Sequence, residues 1–323
     1  MLHMYDEVKA GVPATTPPCP PDGTTSHSLP ADPVFCQKQY KSLFSTPEVK
    51  LSVAFGYDDS WPDFAQVDNP SDVADFVDLL TQDCGSTDDV GMEFDNLCEF
   101  KRDPDDASLF YKQLTGPDGQ TRKIIMHVIS ATGMDVHLKA NDLQLRVSAE
   151  QKKRSEEARQ EYMKDLSHAD VVLYNGHSRD GGGPDFNPPV LTANHHVDYP
   201  WYHLHHPGKN DMVQALSSST HHPKVIAMLS CDSKLEFQKM LNKVSPDSAL
   251  LVSNMVAESE DLNQTMRAFF EGLLAQDCSD DFVESMENSE PLVEDHPERG
   301  KAPTIDFLGW GLKTPNVTPA PFR

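Results

Sequence analysis

Two short apolar runs limit the fold more than any other feature of this sequence: Ala169-Asp170-Val171-Val172-Leu173-Tyr174-Asn175-Gly176-His177 and Lys224-Val225-Ile226-Ala227-Met228-Leu229-Ser230-Cys231. Neither alternates apolar with polar, so neither suits a half-solvated strand. Each reads as a strand buried on both faces, the environment of a parallel sheet covered by helices. The second run leads into a helical stretch around Leu235 to Val244, and a further strand is expected at Ala249 to Ser253. Strand, helix, strand, helix in this order is the pattern of a βαβ array. The expected fold is α/β, a three-layer sandwich with a mainly parallel central sheet.

The remaining elements follow from the same periodicities. Val49, Leu51, Val53 and Phe55 recur with a strand's period of two, and Ser71 precedes a helical stripe of Val73, Phe76, Val77 and Leu80. A short helix is expected from Ala107 to Leu114, then a turn at Gly116-Pro117-Asp118-Gly119, then a buried strand from Lys123 to Ser130. Ala149 to Leu166 reads as an exposed helix. Proline clusters such as Pro17, Pro18, Pro20 and Pro21 fix φ and remove backbone donors, so residues 1–47 read as an arm or linker. Residues 48–278 form the α/β domain in this reading, and 279–323 an acidic, proline-rich tail in which only Ile305 to Leu312 looks ordered.

Charge narrows the partners. With 27 basic and 51 acidic residues the net charge is -24, which disfavours nucleic acid because phosphate binding draws on Lys and Arg. No apolar run is long enough to span a membrane, and Met1 to Lys9 lacks the form of a signal peptide. The chain as given is expected to be soluble, with a periplasmic or secreted location if a leader precedes it. Of six cysteines, Cys19 with Cys36 and Cys84 with Cys98 sit in polar, loop-like segments of the kind that carry disulfides. Cys84 and Cys98 lack the paired CxxC spacing of a zinc ribbon and read as a disulfide or as two separate thiols.

Open parallel sheets bind ligands beyond the carboxyl ends of their strands. His177 ends one expected strand, and Cys231 ends another at the start of a helix, whose dipole and N–H groups favour a thiolate and a developing oxyanion. Asn175-Gly176-His177-Ser178 followed by Leu229-Ser230-Cys231-Asp232-Ser233 resembles the caspase-like cysteine peptidases, the group that includes caspases, clostripains, gingipains and separases. The separation of 54 positions is close to the about 50 residues between histidine and cysteine in caspases. The likeness covers about a third of the chain. Leu229-Ser230-Cys231 stands where caspases have Gln-Ala-Cys, and His177-Ser178 where the family has His-Gly. The resemblance implies a cysteine peptidase or related acyl-transfer hydrolase with Cys231 as nucleophile and His177 as acid and base. It further implies oxyanion donors from the backbone of Gly176 or Ser178 and of Cys231, a peptide or protein substrate, and no cofactor.

Ser178-Arg179-Asp180-Gly181-Gly182-Gly183-Pro184-Asp185-Phe186 follows His177 directly. It lacks the Lys-Ser/Thr ending of a phosphate-binding loop and runs into Pro188-Pro189, so it reads as a mobile binding loop or a plain surface turn. Arg179, Asp180 and Asp185 are candidate substrate contacts, and Asp180, Asp185 and Asp232 suit a basic side chain; Ser230 completes the candidate set. The histidines at 195, 196, 203, 205, 206, 221 and 222 are concentrated enough to raise a metal site, but no cysteine or carboxylate repeats at ligand spacing, so no metal ligand is assigned. Two rival readings stand beside the peptidase: a non-catalytic binding module on the same sheet, and a metal-dependent hydrolase built on the histidines.

Overall fold

The computed structural model describes residues 31–57, 72–87, 93–131, 149–194, 196–254, 259–288 and 305–312. These form an α/β sandwich. The strands are β1 (Glu48–Phe55), β2 (Ser86–Thr87), β3 (Glu93–Phe94), β4 (Lys101–Arg102), β5 (Leu109–Thr115), β6 (Thr121–Ser130), β7 (Val171–Asn175), β8 (Val225–Leu229), β9 (Ala249–Ser253) and β10 (Ile305–Leu308). The helices are α1 (Pro33–Leu43), α2 (Asp72–Thr81), α3 (Ala149–Asp165), α4 (Tyr199–His205), α5 (Pro207–Ser218), α6 (Ser233–Val244), α7 (Ser259–Ala275) and α8 (Asp280–Asn288). Eight strands make the central sheet in the order β10-β9-β8-β7-β1-β6-β5-β4, with β2 and β3 paired apart from it.

Strands β6, β1, β7, β8 and β9 run parallel, and antiparallel strands close both edges. All five residues of β7, of β8 and of β9 are buried, as uninterrupted apolar runs require. Residues of α1, α2, α7 and α8 pack on the face that presents Val171, Leu173, Val225, Ala227 and Leu229. Residues of α3, α5 and α6 pack on the opposite face, against Val172, Tyr174, Ile226 and Met228. The helix after β1 therefore covers one face and the helices after β7 and β8 the other.

The structure departs from the sequence reading in four places. Val49 to Phe55 is buried on both faces after Leu51, because β1 sits mid-sheet and small Ser52 and Ala54 fill the second face. The helix expected from Ala107 to Leu114 is a strand. Across the Gly116–Gly119 turn, β5 pairs with β6 from Leu109↔His127 to Thr115↔Thr121, and this hairpin ladder outweighs local helical preference. Part of the supposed arm is α1, where Pro33 loses no hydrogen bond in the first helical turn and Asp32 Oδ1 accepts from the Phe35 amide at 3.0 Å. Its Cys36, Tyr40 and Leu43 enter the core, as do Phe282, Val283 and Met286 of α8 from the supposed tail; β10, whose Ile305 and Phe307 are also buried, falls in the stretch expected to be ordered. The Ser71 cap and Cys19 lie outside the described residues.

Two disulfides are formed among the described residues. Cys36 sits on α1 and bonds Cys278, joining the helix before β1 to the segment after α7, with Cα atoms 5.9 Å apart. Cys84 bonds Cys98 around the β2–β3 hairpin, with Cα atoms 5.2 Å apart. Among the described residues no helix is long and apolar enough to cross a membrane.

Candidate active site

The parallel ladder fixes where the two candidate residues stand. Asn175 of β7 is in register with Leu229 of β8, and the Gly176 amide continues the ladder by donating to the Leu229 carbonyl at 3.1 Å. His177 and Cys231 each lie two positions past that registered pair, at the carboxyl ends of neighbouring strands. Within the strands, alternation puts Asn175 on the α7 face with Leu173 and Leu229. Asn175 on that side donates to Asn263 Oδ1 of α7 at 2.5 Å. His177 and Cys231 are half-buried, and Cys231 belongs to neither disulfide.

Helix α6 starts two residues after the thiol, and its start is anchored. Ser233 Oγ donates to the Met228 carbonyl at 2.5 Å and accepts from the Ser253 amide at 2.7 Å, tying the helix to the ends of β8 and β9. Lys234 reaches the buried carboxylate of Asp306, which also accepts from Asn254. Cys231 is thus held between a central strand and a helix N-terminus, where partial positive charge favours a thiolate. Ser230 is fully buried, and its hydroxyl finds no partner among the described residues, so it underlies the site and does not face a substrate.

Glycine loop 178–186 is packed, contrary to the mobile-loop expectation. Arg179 Nε donates to Asp185 Oδ2 at 2.9 Å in a pair with both side chains buried, and the Tyr202 hydroxyl donates to the same oxygen at 3.2 Å. Arg179 and Asp185 are therefore committed to each other, and the loop's glycines admit its own protein instead of a ligand. A Cβ on Gly182 would lie 2.6 Å from the Tyr202 ring, and one on Gly183 2.6 Å from the His177 carbonyl oxygen. At Gly181 the obstruction is the Glu236 carboxylate.

Of the three carboxylates expected to suit a basic group, two converge. Burial, then the charges of Glu236 and Asp180, raise the Asp232 carboxyl above the ordinary aspartate range, so these acids share one region beside Cys231. Asp180 is exposed and lies 3.4 Å from His203 Nδ1; Glu236 pairs with Lys209 at 3.3 Å. The oxyanion assignment also narrows. The Gly176 N–H is taken up by the sheet, whereas the amide of buried Ser178 makes no hydrogen bond among the described residues.

The histidine concentration disperses. His205 stacks on Trp201 at 4.5 Å and its Nδ1 meets the Trp201 carbonyl; His206 Nδ1 meets the Gly181 carbonyl at 3.0 Å; His221 Nε2 meets that of Ala169 at 2.9 Å; and His222 meets Ser245. Tyr199 to His205 is helix α4, capped by Asp198. His195 lies outside the described residues, among which no group of three or more His, Cys, Asp or Glu is arranged to hold a metal ion.

Tyr174 was missed by the sequence reading. Its signal was a phenol inside an otherwise apolar run, since a buried tyrosine hydroxyl needs a partner. The fold and site define an α/β three-layer protein with a thiol and an imidazole at adjoining strand ends. No family model, no curated protein and no solved structure matches the chain.

Proposed function

We propose that this protein is a cysteine-dependent hydrolase of the caspase-like kind, acting on peptide bonds. The observation that carries the reading is the parallel register that ends β7 and β8 level with each other, with His177 and Cys231 both two residues beyond it. His177 takes the Cys231 thiol proton as Sγ attacks the scissile carbonyl carbon, the Ser178 amide and the start of α6 receive the oxyanion, and His177 passes that proton to the departing amine as the C–N bond breaks. Water then attacks the thioester carbonyl carbon, His177 takes its proton, and the C–S bond breaks to release the carboxylic acid product and a thiolate that His177 reprotonates.

Asp180 and Asp232 support a substrate with a basic side chain beside the scissile bond. The two disulfides support an oxidising compartment, periplasmic or extracellular. Cys231→Ala and His177→Ala are each expected to abolish turnover of lysine- or arginine-containing peptides, a loss of at least about a hundredfold, while thermal unfolding stays as in the parent. Turnover that survives both substitutions overturns the mechanism.

A further inference from the structure

We propose that Tyr174 is a positioning residue for the site just described, its hydroxyl fixing the main chain of His177 and so the stance of the imidazole toward Cys231. The inference rests on the Cys231–His177 reading and deepens it. Tyr174 is fully buried on β7, on the sheet face opposite α7, within an aromatic cluster: its ring centroid lies 6.0 Å from that of Tyr162 and 5.5 Å from that of Phe186. The hydroxyl emerges from this cluster at the strand's carboxyl end. It accepts from the Asp185 amide at 2.9 Å and shares its one proton between the carbonyls of His177 at 3.1 Å and Asp185 at 3.2 Å. One oxygen therefore joins the first residue of the glycine turn's approach to its far end.

The surroundings are shaped to this oxygen. A Cβ on Gly176 would lie 2.7 Å from it, and a Cβ on Gly56, at the end of neighbouring β1, would meet it together with the Asp185 carbonyl. The Tyr57 amide donates to that same carbonyl at 3.0 Å, so the ends of β1 and β7 converge on one bonded cluster. His177 is held from the other side as well, because Gly183 leaves no space for a Cβ against its carbonyl. Burial and then the nearby Asp185 carboxylate push the phenol well above its ordinary range, which keeps its proton in place as a donor at any working pH.

Tyr162 supplies the matched control. It belongs to the same aromatic cluster and is equally buried, but its hydroxyl faces Met228 Sδ at 3.6 Å and, among the described residues, makes no hydrogen bond to His177 or Asp185. The test is the rate at which an acyl-type electrophile labels Cys231 in the full chain, measured against probe concentration and pH for Tyr174→Phe, Tyr162→Phe and Gly56→Ala. Tyr174→Phe is expected to lower the limiting rate about tenfold with little change in half-saturating probe concentration, and to move the acid limb of the pH profile upward. Gly56→Ala, whose methyl displaces the same oxygen, reproduces both changes and serves if Tyr174→Phe does not fold; Tyr162→Phe reproduces neither. Parent-like rate and profile in Tyr174→Phe or, should that variant not fold, in Gly56→Ala overturn the proposal, as does an equal loss in Tyr162→Phe. His177→Ala separates the two ideas: if it too labels like the parent, the underlying dyad fails, and if it alone is slowed, only the role of Tyr174 does.

Discussion

The two ends of the same parallel strands are built differently. At the amino ends, polar groups are closed among themselves: Asp170 accepts the Lys50 amide at 2.9 Å, its carbonyl takes the Lys224 amide at 2.6 Å, and His222, Ser245 and Ser248 form a chain that ends on the Pro223 carbonyl at 2.6 Å. At the carboxyl ends, a thiol and an imidazole stand half-buried, the Ser178 amide is open and the Ser230 hydroxyl orphaned among the described residues, and Asp232 is crowded by Asp180 and Glu236. Hydrogen-bond satisfaction stabilises one end, and groups left under electrostatic tension mark the other. Sites that break local rules in this way are where function is expected.

The contrast can be broken or sharpened by substitution. Asp185→Asn tests whether the glycine loop belongs to the framework although it borders the site. Removing one charge of a buried pair leaves Arg179 uncompensated, with an expected loss of about 3–5 kcal/mol in denaturant unfolding. Ser248→Ala removes a donor at the opposite end and is expected to cost about 1 kcal/mol in the same assay while Cys231 labelling is unchanged; slowed labelling would blur the division between the two ends.

Asp232→Asn should act in the opposite sense and most weakly. Because its folded carboxyl is raised, the folded chain binds a proton that the unfolded chain has released, just above the ordinary value of about 3.9. Stability from this group therefore falls as pH rises through that window. The variant loses that slope, so unfolding midpoints measured from about pH 4 to 6 should decline less than in the parent.

How much of this was legible depended on whether the signal was local. The runs ending in His177 and Cys231 pointed to buried parallel strands because they are short, rich in Val and Ile, and followed by the helix of a strand–helix–strand pattern. The β5 strand was hidden because its pairing with β6 is a hairpin contact, and helix α1 because proline density around it resembles a linker. The partner of Cys36 lies 242 residues away in sequence, so spacing carried no trace of it. Within the site, charge alone did not separate Asp180 and Asp232, which converge, from Asp185, which does not. Arg179 and Asp185 were misread, since a sequence of acids, arginine and glycines does not reveal that the two charges meet in the interior or that Tyr202 joins them.

The central claim is that Cys231 is activated by where β8 ends and α6 begins, with His177 beside it. Mass-spectrometric mapping of an electrophilic thiol probe at about pH 6, where an ordinary cysteine is almost wholly protonated, reads this directly. The account predicts rapid modification of Cys231 in the folded chain and loss of that rapid phase in His177→Ala. Modification no faster than that of the same cysteine in the unfolded chain, or unaffected by removing the imidazole, would contradict it.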